Sequence, residues 1–370
     1  MNAGTGFSAS AACGGWTVVS SPNGGADNLL YGVTAISASD VWAVGGDINV
    51  DGNNQTLIEH WNGKAWTIVA SPNVTSDYNI LYDVAAVSAT NVWAVGTYGG
   101  SNGNNQALIE HWNGKAWTVV TSPGVGIGSS LHGIAVVSPT TLWAVGNAVN
   151  AHGIEQTLIE RWNGTRWSAV PGPNPGAYAN VLWSVSALSS GTVWTVGDSS
   201  NSRGQDRSLI EQWNGSQWSI VKSPDVSQFH TYLLAVTALS TANAWAVGYA
   251  VADNALTANT VVEQWNGSRW SLVPDPNPGT AFNFLYALTA ISPTSIWAVG
   301  TYSNSRYGPF HTLTEQWNGS QWLVHASPGP GATINTLAGV AAAPASHVWV
   351  VGFDSDSLGG PHRTLTQHAC

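Results

Sequence analysis

Charge is scarce in this chain. Charged residues are 8% of the 370, with Lys+Arg 10 against Asp+Glu 20 and a formal net charge of −10. A basic patch is therefore excluded as an organising feature, and nucleic acid and anionic membranes are disfavoured as partners. No 18-residue stretch is continuously apolar, so no membrane-inserted helix is expected. No segment combines helical period with helical length. The ten histidines are dispersed, with no H-x-x-x-H or H-E-x-x-H, and local spacing offers no zinc site. Neither a G-x-S-x-G elbow nor a glycine-rich phosphate loop at a strand–helix junction occurs.

Tryptophan is abundant, and it is periodic. W-x-V-G occurs seven times, at Trp42, Trp93, Trp143, Trp194, Trp245, Trp297 and Trp349, about 51 residues apart. W-N-G-x-x-W occurs six times, opening at Trp61, Trp112, Trp162, Trp213, Trp265 and Trp317 and closing at Trp66, Trp117, Trp167, Trp218, Trp270 and Trp322. Trp16 continues the closing series at the N-terminus, so 20 of the 21 tryptophans obey one template, and only Trp183 lies off it. A period of this length marks a solenoid, propeller or array.

Each repeat reads as four short strands. In the second repeat these are Leu81–Ser88, Val92–Gly96, Ala107–Trp112 and Trp117–Thr121, all β-branched or aromatic and bounded by Gly, Pro, Ser or Asn. Asn113-Gly114 predicts a two-residue type I′ hairpin. The expected fold is all-β: a seven-bladed β-propeller with four antiparallel strands per blade. An open solenoid would need atypical capping repeats. Instead, the seventh W-N-G-x-x-W is divided between the two chain ends. The last blade is then closed by the N-terminal strand Trp16–Ser20 and the C-terminal strand Leu365–His368. Residues 1–12, small and polar, read as a flexible tail that resembles a mature N-terminus, and 13–370 as one domain.

In register, Cys13 and Cys370 occupy the Gly and Asn positions of the missing turn, so closure brings together the only two cysteines. A disulfide there would close nearly the whole chain, worth roughly 4–5 kcal/mol less any strain, and would imply an oxidising compartment. A secreted or cell-surface protein is the expectation, as a monomer.

The string S-x-x-x-V-W-A-V-G followed by W-N-G-x-x-W resembles secreted bacterial propeller repeats related to the BNR (Asp-box) and kelch-like superfamilies. Against the Asp-box pattern S-x-D-x-G-x-T-W, Gly114 and Trp117 are kept, whereas Trp112 stands for the Asp and Glu110 for the Ser. The departure implies a turn held by aromatic packing rather than by an Asp side chain. The resemblance implies fold; no catalytic residue is carried over, because the arginine triad of the sialidases aligns to no motif here.

Comparing repeats separates scaffold from function. Glu59, Glu110, Glu160, Glu211, Glu263 and Glu315 recur and read as structural, each expected opposite the fourth-strand Trp, as Glu110 opposite Trp117. The sequons at Asn163, Asn214, Asn266 and Asn318 are explained by the turns. Variation is confined to two loop sets, the links between blades and the second-to-third-strand loops, which emerge on one face. Function concentrates on such loops. The aromatic sector of this face carries Tyr178, Trp183, Phe229, His230, Tyr232, Phe282, Phe284 and Tyr286, with Arg203, Asp206, Arg207, Arg306, Tyr307 and His311 beside them. Aromatic faces interleaved with polar groups suit sugar rings. Trp183 shares the register of Tyr31, Tyr82, His132 and Tyr286, so plugging the channel mouth is its alternative role.

Glycoside hydrolysis usually needs two nearby carboxylates. The face offers Asp27, Asp47, Asp77, Glu155, Asp198, Asp206, Asp253, Asp354 and Asp356, and no pair stands out. Acid-poor links favour glycan or cell-surface ligand binding, with a polysaccharide-active hydrolase or lyase and a protein-interaction scaffold as alternatives. No cofactor is expected; Asp47/Asp51 and Asp354/Asp356 could offer oxygens to Ca²⁺ but lack EF-hand spacing. Protein exported to an oxidising compartment is predicted to show no free thiol by non-reducing mass measurement; two free thiols would refute the Cys13–Cys370 link.

Overall fold

The computed structural model describes residues 15–101, 103–224, 226, 229–252 and 256–370. The expected tail and Cys13 lie outside the described residues. Within them the chain is all-β, with 28 strands and a single 3-10 turn at Pro344–Ser346. The second repeat forms β6 (Asn79–Ser88), β7 (Asn91–Gly99), β8 (Asn105–Trp112) and β9 (Trp117–Val119), antiparallel in that order. The first three strands outrun the apolar alternation toward the variable face. There, links between neighbouring sheets extend the pairing, as in the parallel bridge from Asn54 to Tyr78.

Five sheets have four strands and one has eight; a single parallel pairing, Ala258 with Phe282, joins the two halves of the latter. The first strands are β2 (Asp27–Ser37), β6, β10 (Gly128–Ser138), β14 (Ala179–Ser189), β18 (Phe229–Ser240), β22 (Phe282–Ser292) and β26 (Ile334–Ala343). Each packs on the next and β26 packs on β2, closing a cycle. The closing sheet runs β1 (Thr17–Val19), β28 (Arg363–Ala369), β27 (His347–Ser355), β26. Thr17 stands opposite His368, the register expected from the divided repeat, although the N-terminal strand is shorter than Trp16–Ser20 and the C-terminal one starts at Arg363.

The tryptophans pack between sheets. Trp42 meets Trp112 at 5.1 Å and, edge-on, Trp117 at 5.5 Å in the next repeat. Trp349 makes the same contacts with Trp61 and Trp66 across the closure, at 5.0 and 5.3 Å. Edge-to-face and tilted pairs at these separations add to the area that they bury. The glycine of W-x-V-G is required by close approach: a Cβ at Gly45 would overlap the Leu29 carbonyl oxygen.

Two local expectations are corrected. The Asn-Gly hairpin is not a two-residue type I′ turn. Trp112 pairs with Trp117, leaving the four-residue loop 113–116, in which Gly114 has φ +87° and Asn113 does not have positive φ. Asn113 Oδ1 accepts from Lys115 N at 3.0 Å and Ala116 N at 3.1 Å. An Asx-type side-chain bond thus holds the turn, not aromatic packing alone. Glu110 stands opposite Val119 rather than Trp117.

The recurring glutamates lie buried where each sheet meets the preceding link. Ser122 donates to Glu160 at 2.7 Å and Ser223 to Glu263 at 2.8 Å. Both carboxyl oxygens of Glu59, Glu110, Glu211 and Glu315 lack a hydrogen-bond partner among the described residues. Burial pushes Glu59, Glu110, Glu211 and Glu263 up to about 8, Glu160 to about 7 and Glu315 to about 9. The closing sheet carries Gln367 instead, whose Nε2 donates to Pro328 O at 2.8 Å.

These carboxyls bind protons more tightly folded than unfolded. Their contribution is therefore intact below the unfolded value of about 4.5 and is lost as pH rises through about 8. Glu110→Gln is expected to stabilise the fold at pH 8 by a few kcal/mol, the cost of keeping this buried carboxyl protonated above its unfolded value, and to change little at pH 4. Thermal melts at both values check this; equal shifts at the two would refute it.

Candidate functional site

Every first strand contains a β-bulge at one register position. The pairing skips Tyr31, Tyr82, His132, Trp183, Leu234, Tyr286 and Ala338. A bulge re-aims its side chain, and all seven line an axial cavity of about 220 Å³. Trp183 is thus a channel residue, as its register allowed. It stacks on His132 at 4.5 Å, and its Nε1 donates to Asp198 Oδ1 at 2.7 Å. His132 Nδ1 meets Leu182 O at 3.1 Å, which assigns the proton to that nitrogen. Burial lowers His132 to about 4, so the ring is neutral. Asp83 also lines the cavity; burial raises it to about 7 against the backbone donors Ile134 and Val84.

Tyr82, His132 and Trp183 also wall a second cavity of about 380 Å³ lined by the second, third and fourth repeats, with Asn105, Ser130, Asn147 and Glu155 on its polar side. Its position has a cause in the scaffold. In most links a buried Asn, two residues before the core leucine of the first strand, ties the link down. Asn180 Oδ1 accepts from Gly176 N at 2.6 Å, while its Nδ2 donates to Gly176 O at 2.9 Å and to Glu155 O at 3.3 Å. Asn28, Asn79, Asn283 and Asn335 do the same. At this position the third repeat has Ser129, preceded by Gly128, and both line the second cavity. The smaller side chains leave the space. The fifth repeat has Thr231, whose hydroxyl lacks a partner among the described residues.

Asp206 gathers the next group. It accepts from Ser200 Oγ, Tyr232 OH and His230 Nδ1, the last at 2.9 Å. Burial works to raise this carboxyl, but those three hydrogen bonds outweigh it and Asp206 ends below its ordinary value. Asp198 behaves oppositely. Burial raises it to about 7 despite the Trp183 bond, and the charges of Asp206 and Glu155 add to the rise. Two carboxyls that had not stood out as a pair therefore share one environment. Tyr249, unnoticed in the sequence, lies between this group and the aromatic strand: 5.1 Å from Tyr232 and 4.8 Å from Phe284. Phe282, Phe284 and Tyr286 stack along one side of β22 at 5.8 and 6.1 Å.

The other expected residues do not join the group. Arg207 lines a separate cavity with Pro175 and Lys222, its Nη1 donating to Asp206 O at 3.1 Å. His311 packs on Tyr302 at 5.1 Å and lines another cavity beside His325. Tyr178 is 69% exposed and Tyr307 77% exposed, with Arg306 5.7 Å over the Tyr307 ring. Arg203 is exposed at a loop tip, its backbone N donating to Asn201 Oδ1 at 2.8 Å. The Phe229 side chain and Asp253 lie outside the described residues.

Of the acids considered for Ca²⁺, Asp354 and Asp356 are both engaged by Arg363, a cation already in place. Asp51 is exposed on its loop, whereas Asp47 is half-buried and raised by burial. Asp27 is paired with His362 at 2.8 Å. Donor atoms of His347, His368 and Cys370 lie within 4.8 Å of one another; their spacing in the chain gave no sign of it.

No protein-family model matches the chain, and no curated protein matches it. Among solved structures, YCF48 bound to a D1 peptide matches with a TM-score of 0.56 at 14% identity, covering 96% of this chain and 97% of that one. A polysaccharide lyase of family PL25, an ulvan lyase bound to a GlcA(1-4)Rha3S glycan, matches at 0.59 and 11% identity, covering 92% and 94%. The GH74 xyloglucanase of Xanthomonas campestris matches at 0.59 and 14% identity, covering 94% of this chain and 55% of that one. The fold of this chain is that of the β-propellers.

Asp206 and Tyr232 belong to neighbouring repeats, so their bond ties two sheets together. Asp206→Asn and Tyr232→Phe are each expected to cost about 1–3 kcal/mol. The double variant should cost less than their sum by about 0.5–3 kcal/mol. Urea titrations of the four proteins check this; simple additivity would remove Asp206 from its role as a hub.

Proposed function

We propose that the chain is a seven-bladed β-propeller, secreted or displayed at the cell surface, that binds carbohydrate on its variable face. Seven blades are supported by five separate four-strand sheets plus the two four-strand halves of the sixth. Secretion is supported by the scarcity of charge and by the register of the two cysteines. In this reading Cys13 and Cys370 form a disulfide that replaces the missing turn, which engages the Cys370 sulfur.

One observation carries the binding site. The cleft of about 380 Å³ has an aromatic wall of Tyr82, His132 and Trp183 facing Asn105, Ser130, Asn147 and Glu155. Sugar C–H faces pack on such a wall while amides, hydroxyls and carboxylates take the hydroxyls. The pocket lies on rigid strands, so little ordering entropy opposes binding.

A second reading has its own observation. Asp198 is raised and Asp206 lowered side by side, and oppositely shifted carboxyls suit an acid and a base on a polysaccharide. Both Asp206 oxygens are already engaged by donors, which favours binding over hydrolysis.

A glycan array is expected to find ligands for the protein. Trp183→Ala, checked for a native melting transition, should weaken their binding about tenfold or more, the value of an aromatic contact of ~1.5 kcal/mol. Unchanged binding by the variant would place the site elsewhere. Reducing-sugar release that Asp198→Asn abolishes would support the enzyme instead.

A further inference from the structure

The start of each third strand faces the start of the next repeat's first strand, and a carboxylate meets an imidazole there in two places. Asp206 meets His230 at 2.9 Å, and His362 meets Asp27 at 2.8 Å with the two residue types exchanged. Glu155 occupies the same register as Asp206 and His362; Glu155 and Asp206 open the third-strand pairing and His362 directly precedes it. The residue that should answer it is Ala179, the first of β14. Among the described residues its carboxylate has one side-chain hydrogen bond, from Asn147 Nδ2 at 3.1 Å.

No cation of the protein can answer it from elsewhere in the cleft. All ten Lys and Arg fall within the described residues, and none lines the cavity. Lys64, Lys115, Arg166 and Arg269 sit in the Asn-Gly hairpins of the opposite face. Arg363 is held by Asp354 and Asp356. His132, the titratable ring in the wall, donates its Nδ1 proton to Leu182 O. Behind Trp183 lies a second acid, Asp198, which accepts from the indole Nε1. A positively charged group inside this cleft would therefore meet the Glu155 carboxylate and the aromatic rings of Tyr82 and Trp183, and both kinds of group attract cations.

We infer that the cleft selects amine-bearing sugars, such as 2-amino-2-deoxyhexose units, with the ammonium on Glu155 and the ring against Trp183 and Tyr82. This rests on the carbohydrate reading of the same cleft and narrows its ligand class. Uronate and sulfated glycans are rejected, because the cleft offers their anions no cation.

Calorimetric titration of the full chain with three β-1,4-linked trimers tests it: glucosamine, N-acetylglucosamine and glucose. The glucosamine trimer is expected to bind about tenfold or more tightly than either neutral trimer, the worth of one charge-assisted bond. Added salt should erode that preference. Glu155→Gln should abolish it. Ala179→His, which supplies the partner that His230 gives Asp206, should reduce it as well. Equal affinity for all three trimers overturns the inference and leaves carbohydrate binding standing. A preference that survives both substitutions also overturns it. Trilysine binding as tightly as the glucosamine trimer would overturn it too, by showing selection of charge without the sugar. Binding of none of the three, with no ligand on the array, brings down the carbohydrate reading itself.

Discussion

The fold depends on three residues at one end of the chain pairing with three at the other. Thr17, Val18 and Val19 stand opposite His368, Gln367 and Thr366. Side chains reinforce the seam: Thr366 Oγ1 donates to Val19 O at 2.6 Å, and Ser21 Oγ and Thr364 Oγ1 share a bond at 2.7 Å. Trp16 presses edge-on against Trp297 at 5.2 Å, so the N-terminal strand also fills the interface that every other fourth strand fills. The last sheet has its fourth strand only while this seam holds. The tryptophan interfaces, the axial cavity and the loops of the variable face all presuppose a closed cycle.

Within the ring, function and scaffold divide by symmetry. Positions that repeat build the interfaces: the W-x-V-G glycines, the Asn of the hairpin loops, the buried Glu and the Asn that fastens each link. Positions that break the repeat build the site. Ser129 replaces a fastening Asn, and a cleft opens beside it. Trp183 stands where other repeats place Tyr, His, Leu or Ala, and it separates that cleft from the axis. Glu155 and Asp206 share a register, yet among the described residues only the Asp206 carboxylate has a side-chain partner across the gap. The proposed site is a set of omissions from a regular structure rather than an added element.

Much of this was legible in the chain. The period, the four strands of each repeat and the register of the closing sheet follow from spacing, because side-chain alternation and turn chemistry are local. The placing of Trp183 on the axis followed from its alignment with Tyr31, Tyr82 and His132. The fastening Asn was legible too: aligning Asn28, Asn79, Ser129, Asn180, Thr231, Asn283 and Asn335 exposes the two exceptions. The Asn-Gly turn was not legible, since its loop has four residues and the Asn acts through its side chain. Glu110 was placed opposite Trp117 for the same reason, because a longer loop shifts the pairing by two residues. His311 and Arg207 were grouped with the aromatic sector because loop membership does not say toward which side a side chain turns.

The sequence by itself determined a closed ring of four-stranded repeats, for these follow from periodicity and from a motif split between the ends. Only the tertiary structure decided which departures meet. Tyr82, His132 and Trp183 come from three repeats about 50 residues apart, and Asp206 finds Tyr232 across a gap between sheets. A bulge in each first strand turns one residue toward the axis, and ring curvature then sets unlike side chains against each other. That adjacency exists only in the closed form, because no local rule couples residues separated by a whole repeat.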